Sequence, residues 1–354
     1  MKLEQVIFAG FTHQPAQQLA SKLSNVLPSS LSHYFFSDDG STAVEAAIKM
    51  ALQYWHNKGQ THKTKIISFE NAYHGDTFGA MSIAGKNKFN QAYSELFFDI
   101  IQLPAPTSSN FKELTQTLHQ QIDQGNVAAF IFEPLVQGSG GMLMHEAVHL
   151  DELIGMAQKR DVICIADEVM TGFGRTGNLF VSSILQNKPD IICLSKGITG
   201  GFLPLGLTVA SQKIYDAFYD EDKMKTFFHG HSYTANPLAC AASIASLDIL
   251  LSDECQYSIQ RICSSHQAFI HTYASHPKLT NLRSCGTILA FDLETSESNS
   301  YFHSLRDQMY QHCLDRNVLL RPLGNTIYTM PPYCISEEEL SYIYEVMLSC
   351  TSLI

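Results

Sequence analysis

Charge is scarce in this chain, and what there is leans one way. Asp, Glu, Lys and Arg make up 16% of 354 residues, with 34 acids against 23 bases and a formal charge of −11. A surface of that sign repels nucleic acid and anionic membrane, and no long Lys/Arg run offsets it locally. The expected partners are small molecules or another protein subunit, with neither nucleic acid nor membrane among them. Long apolar runs are also missing. No stretch of about 18 or more apolar residues suggests a membrane span, and the opening MKLEQVIFAGF has too short an apolar run for a signal peptide. The nine cysteines (Cys164, Cys193, Cys240, Cys255, Cys263, Cys285, Cys313, Cys334 and Cys350) include no C-x-x-C pair, and their number is odd. That argues against a disulfide frame or a zinc site and for free thiols in a reducing cytosol, hence a cytoplasmic location.

What is present is an ordinary globular composition, 45% apolar, in a chain long enough for one large domain and a smaller one. Several short apolar runs end in chemically loaded residues: KIISF at 65–69, AAFIF at 128–132, VICIA at 162–166 and IICL at 191–194. Runs of this kind predict strands buried on both faces, as in parallel sheets. Between them lie helical patterns. Residues 41–55 place Ala43, Ala46, Ala47, Met50 and Tyr54 on one stripe, with Glu45 and Lys49 spaced to pair at i,i+4. Residues 236–251 form a second helix opened by Asn236 and Pro237. Alternating strands and helices predict an open α/β sheet with ligands at the strand carboxyl ends. After about Asp253 the character changes to a long helix, strand-like 287–293, a helix over 301–315, and strand-like 318–320 and 326–330. The expected division is a large domain over 1–252 and a small α+β domain over 253–354. No internal repeat or low-complexity stretch is evident.

Four features carry the chemistry. Asp38-Asp39-Gly40-Ser41-Thr42 opens a helix, where free N–H groups, hydroxyls and a close-approaching glycine suit a phosphate. The competing reading is a plain N-cap. Residues 71–76 (NAYHGD) follow a strand and offer Tyr73, able to stack on a flat heterocycle; alone, they read as a loop with a capping acid. Asp167-Glu168 ends VICIA, ahead of the glycine-rich TGFGRTG at 171–177. A carboxylate there can pair with a pyridinium nitrogen. Magnesium is the rival, without a further acidic cluster nearby to support it. Lys196, just past IICL, can reach into a cleft and form a Schiff base, although a lone lysine of this kind is usually a solvated surface residue.

Together, Gly40-Ser41, Tyr73-His74-Gly75, Ala166-Asp167-Glu168-Val169, GFGRTG at 172–177 and Leu194-Ser195-Lys196 resemble the class III aminotransferases over essentially the whole chain. The resemblance implies a fold type I transferase, α/β, with a mostly parallel central sheet, pyridoxal 5'-phosphate as cofactor and no metal. Lys196 would hold the cofactor and shuttle a proton. Asp167 would hold the pyridine nitrogen. Tyr73 would stack on the ring and line the substrate site. Gly40 and Ser41 would hold the phosphate. Ser232, in His229-Gly230-His231-Ser232, would reach the phosphate of the neighbouring subunit of a homodimer, with Gly230 lining the substrate site. Arg321 would face a substrate carboxylate, a role suited to a forked guanidinium; otherwise it is a surface ion-pair residue. His74, Glu133 and Glu168 have the character of supporting residues.

Within the family, QYW at 53–55, YHGDTFGAMS at 73–82, QGSGGM at 137–142 and RPLG at 321–324, followed by MPPY at 330–333, resemble the members that act in biotin biosynthesis, a resemblance that implies amination of 8-amino-7-oxononanoate from S-adenosylmethionine. The ornithine and 4-aminobutyrate members carry a glutamate in the loop after Glu133-Pro134, where this chain has Ser139. The remaining alternatives are another ω-aminotransferase and a non-catalytic protein of the same fold. Family members usually begin with several tens of residues, including an aromatic-rich substrate wall, ahead of the counterpart of residues 5–13. The implied expectation is that cofactor capture and turnover come apart in a chain opening at that point.

Overall fold

The computed structural model describes residues 3–295 and 303–354. Two compact units are present. One comprises Met1–Leu135, His145–Phe173 and Leu179–Ile249; the other comprises Val136–Met144, Gly174–Asn178 and Leu250–Ile354. Two short internal segments thus join the C-terminal residues. Sequence patterning could not assign them there, because a β-hairpin or loop takes its unit from what it packs on.

The strands are β1 (Leu31–Ser37), β2 (Lys65–Phe69), β3 (Ile100–Leu103), β4 (Val127–Phe132), β5 (Val136–Gln137), β6 (Leu143–Met144), β7 (Ile163–Asp167), β8 (Ile191–Leu194), β9 (Gly206–Ser211), β10 (Leu279–Cys285), β11 (Ile288–Leu293) and β12 (Thr326–Thr329). Seven of them build the sheet of the first unit in the order β1-β9-β8-β7-β4-β2-β3. Only β9 runs against the rest: it is antiparallel to both β1 and β8, while the neighbours from β8 to β3 pair in parallel. The carboxyl ends of β1, β2, β4, β7 and β8 therefore share one edge. Strands β4, β7, β8 and β9 are buried at every position, as continuous apolar runs require when both faces are covered.

Helix Gly40–Asn57 shows why the sheet is covered closely. Its stripe Ala43, Ala46, Ala47, Met50 and Tyr54 is buried, and so is Trp55, whose indole N–H donates to the Ala128 carbonyl at 2.8 Å. Small residues on the stripe let the helix approach Ile66, Ile131, Ile165 and Cys193 in one core. The single tryptophan is thus a packing residue, with the Lys63 ammonium 3.6 Å from its ring centroid. The predicted Glu45–Lys49 pair does not form. The Glu45 carboxylate accepts the N–H groups of Gly79 and Ala80 at 2.6 and 3.2 Å, and the Lys49 ammonium reaches His229 at 2.8 Å. Orphan N–H groups at a helix start outbid a solvent-exposed i,i+4 pair.

The second unit is built on the antiparallel sheet β10-β11-β12, with helices Asp253–Tyr273, Leu305–Leu314 and Glu337–Ser349. Phe269, Leu289, Phe291, Met309 and Met347 form its core. The helix expected over 301–315 runs from Leu305 to Leu314; positions 301 and 302 lie outside the described residues. Residues 318–320 were expected to be strand and are irregular. Helix Gln14–Ser24 and strands β1, β3, β9 and β10 had no sequence reading of their own. No helix among the described residues is long and apolar enough to cross a membrane.

Candidate active site

Strand β7 ends at Asp167, which lies opposite Cys193 of β8 in the parallel ladder, shortly before Lys196. Asp167 is 4% exposed. One carboxylate oxygen accepts the Val169 N–H at 3.0 Å, and the other meets His74 Nδ1 at 2.7 Å. His74 comes from the loop after β2, and its ring is fully buried. Burial alone would lower its pKa; the hydrogen bond it donates to Asp167, that residue's charge and the charge of Glu133 outweigh burial and raise it. The other ring nitrogen, Nε2, is buried with no hydrogen-bond partner among the described residues. Glu133, at the end of β4, accepts the Tyr73 N–H at 3.0 Å and so fixes the same loop. The Tyr73 ring is 41% exposed, and its hydroxyl donates to Asp76 at 2.8 Å.

Lys196 is the second residue past β8 and opens a short 3-10 helix, Lys196–Thr199. It is exposed, with φ of +46°, a left-handed conformation uncommon outside glycine. Its neighbours lock it there: Ser195 Oγ donates to the Leu205 carbonyl at 2.7 Å, and Gly197 lies against Phe173. Such strain, of order 1–3 kcal/mol, persists where the surroundings over-determine the backbone. No acceptor takes the Lys196 ammonium among the described residues.

The helix after β1 brings the third element to the same edge. Asp39 caps it in a capping box with Thr42, its carboxylate accepting the Thr42 N–H at 2.8 Å. The plain-cap reading of this segment is therefore true of Asp39 and Thr42. It leaves the N–H groups of Gly40 and Ser41 without a protein acceptor among the described residues, which is the anion-seeking end of a helix. A Cβ at Gly40 would meet Val169 at 2.7 Å and Ser195 at 3.4 Å, so position 40 is wedged between the segments that carry Asp167 and Lys196. Gly75, at φ +129°, lies where a Cβ would strike the Ser41 side chain and meet its Cα at 2.8 Å. That close approach lets Ser41 Oγ accept the Thr77 N–H at 3.0 Å and bond its hydroxyl at 2.9 Å.

Glu168, next to Asp167, does different work. Fully buried, it accepts the N–H groups of Val181 and Ser182 at 2.9 and 2.7 Å. Its pKa is raised, by burial, despite those bonds. It caps the helix Val181–Ile184 and leaves the edge to Asp167. The glycine-rich loop after it is tied into the second unit by Arg175, whose guanidinium lies 4.7 Å from the Tyr333 ring centroid and donates to the Pro331 carbonyl at 2.7 Å. This loop's glycines therefore serve packing. Gly230 and Ser232 are exposed in the first unit, and Arg321 is exposed in the second. The Ser139 loop, between β5 and β6, is held by Arg283, which donates to the carbonyls of Met142 and Gly141 at 2.9 and 2.6 Å. Among the described residues, no cluster of three or more His, Cys, Asp or Glu is arranged to hold a metal ion. No sequence pattern signals that Lys49, His229, His231 and Asp38 meet; they are dispersed in the chain and linked only by the fold.

A primary amine, a buried carboxylate, an exposed aromatic and unpaired helix N–H groups on one edge can together hold a phosphorylated, nitrogen-containing ring carrying an aldehyde. Known proteins match the arrangement. The aminotransferase class-III family profile matches residues 1–350. An adenosylmethionine-8-amino-7-oxononanoate aminotransferase of Synechococcus elongatus is 48% identical over 97% of this chain and 82% of its own length. The crystal structure of the like-named enzyme of Methanocaldococcus jannaschii superposes with a TM-score of 0.93 at 33% identity, covering 99% of this chain and 82% of that one. An amine transaminase from an uncultivated Pseudomonas species, in its PLP-bound form, gives 0.89 at 29% identity, covering 99% and 84%. With strand order, edge residues and sequence all in agreement, the chain belongs to the class III aminotransferases.

Proposed function

We propose that this chain transfers the amino group of S-adenosylmethionine to 8-amino-7-oxononanoate, giving 7,8-diaminononanoate, with pyridoxal 5'-phosphate as cofactor and as a homodimer. The observation that carries the chemistry is the placement of Asp167 and Lys196 at the ends of adjacent parallel strands, beside the unpaired N–H groups of Gly40 and Ser41. The substrate pair rests on the likeness to the Synechococcus elongatus protein.

Pyridoxal phosphate, when bound, supplies a sink for the electrons left as a proton leaves the amino-bearing carbon. The residues divide the remaining work. Gly40 and Ser41 hold the phosphate through N–H groups and a hydroxyl. Asp167 accepts an N–H from the ring and keeps that nitrogen protonated, with His74 steadying its other oxygen. Tyr73 would stack on the ring and would line the substrate site with Gly230. Lys196 would hold the cofactor through its amine and would supply the base for the proton at the reacting carbon. Ser232 serves the phosphate of the partner's site. Arg321 grips the acceptor carboxylate by a forked contact.

The test is product formation by the purified chain with both substrates and cofactor. Formation of 7,8-diaminononanoate supports the reading; turnover of ornithine or 4-aminobutyrate in its place overturns the substrate assignment. Arg321→Ala is expected to raise the acceptor KM roughly ten- to a hundred-fold while cofactor binding stays intact, as loss of a charge-assisted bidentate contact requires.

A further inference from the structure

The segment carrying Gly230 and Ser232 is exposed, yet it is tied down from two sides. On one side stands a line of four side chains. The Lys49 ammonium lies 2.8 Å from His229 Nδ1, His229 Nε2 lies 3.2 Å from His231 Nε2, and His231 Nδ1 lies 3.4 Å from an Asp38 carboxylate oxygen. Donor and acceptor roles follow without choice. An ammonium only donates, so His229 Nδ1 accepts and the His229 proton sits on Nε2. That N–H donates to His231 Nε2, which places the His231 proton on Nδ1, facing Asp38. The line thus runs in one direction, from Lys49 to Asp38, the residue just ahead of the Asp39 cap. On the other side, His13 Nε2 donates to the Ala235 carbonyl at 2.7 Å, and Gln5 donates to the Ser232 carbonyl at 3.0 Å. Ala235 has φ of +52°, a strained value for alanine that needs such support.

We propose that His231 is a positioning residue, which fixes the 229–233 loop against the phosphate-binding helix start through the line Lys49–His229–His231–Asp38 and so sets where Ser232 is presented. The inference rests on the cofactor reading above. The line needs both imidazoles neutral. The groups facing His229 are Lys49 and Glu45 from helix Gly40–Asn57 and His231 from its own loop, with the Phe35 and Phe227 rings packed beside it. Burial, then Lys49 and His231, lower its proton affinity, and Glu45 opposes them more weakly. His229 therefore stays neutral where an ordinary histidine charges.

The experiment compares the full chain with His231→Leu, Lys49→Met and the double variant. The first measurement is ¹⁵N NMR of ring-labelled histidines in cofactor-free protein. The expected result is a proton on Nε2 of His229 and on Nδ1 of His231, with the His229 preference lost in Lys49→Met. The second is the rate at which bound pyridoxal phosphate is lost. Each single variant should lose it roughly ten-fold faster, the scale of one charge-assisted hydrogen bond, and the double variant no faster than either single, because one line is broken once. Opposite tautomers, additive losses or unchanged retention would overturn the proposal. A wild-type chain that takes up no pyridoxal phosphate would instead overturn the cofactor reading, and the tautomers would still decide this one.

Discussion

Asp167 and Asp292 are both almost fully buried, at 4% and 8% exposure, one at the edge of the seven-stranded sheet and the other on the central strand of the small antiparallel sheet. Their surroundings differ in kind. Asp292 is saturated: it accepts from the Arg283 guanidinium at 2.9 Å, from Asn281 at 2.9 Å and from the Thr326 hydroxyl at 2.7 Å. None of those partners titrates near neutral pH. Asp167 has a backbone N–H and one imidazole, and that imidazole carries an orphaned nitrogen. A saturated buried carboxylate is a fastener. One held on two sides at a strand's carboxyl end, with an amine just past the next strand, has capacity for a ligand.

The sharpest way to break this comparison is to remove the amine. Lys196→Ala should abolish borohydride-fixable visible absorption and lower transamination by roughly 10²–10⁴-fold or more, the range for losing a positioned acid–base group. Retention of a reducible, lysine-linked cofactor in this variant would show that the edge has been misread. The two aspartates should then separate by readout. Asp167→Asn is expected to lower turnover by on the order of 10²–10³, as when one preorganised charge-stabilising group is removed. Asp292→Ala removes the acceptor shared by Arg283, Asn281 and Thr326 and should destabilise the protein by about 1–3 kcal/mol in urea titration, with turnover at low denaturant little changed. Equal effects of the two substitutions on turnover would erase the distinction.

Glu168, adjacent to Asp167, gives a smaller effect of the structural kind. Glu168→Ala orphans two buried N–H groups and should cost about 1–3 kcal/mol in thermal or urea unfolding. The gentlest test uses pH. His74 has its folded pKa raised above the ordinary histidine value. Its contribution is therefore fully present below about pH 6.5 and is lost as pH rises through the raised folded value. The melting temperature of cofactor-free protein should drift down across that interval, and His74→Gln should flatten the drift. A drift of the opposite sign would mean that burial, which favours neutral imidazole, outweighs Asp167.

The sequence by itself determined the strands that matter most. VICIA and IICL are apolar throughout, so they had to be buried on both faces, and Asp167 and Lys196, just beyond those runs, had to emerge at an edge. Local composition also specified the helix after β1 and its buried stripe, and left the capping of its start as one of two readings. Strands β1 and β9 were not legible, because LSHYFFS mixes polar and aromatic residues without clean alternation and GLTVAS opens on glycine. The roles of the acids were decided only by packing. Adjacent residues on a strand point to opposite faces, and what waited on each face was set elsewhere in the chain: His74 for Asp167, the helix start at Val181 for Glu168. Glu45 and Lys49 had the spacing for a pair, but tertiary structure offered each a partner that pairing within the helix could not match. The line from Lys49 to Asp38 exists for the same reason. Hydrogen bonds between residues far apart in sequence leave no periodicity for the chain to show, and they form only after the hydrophobic core has brought their strands and loops to one edge.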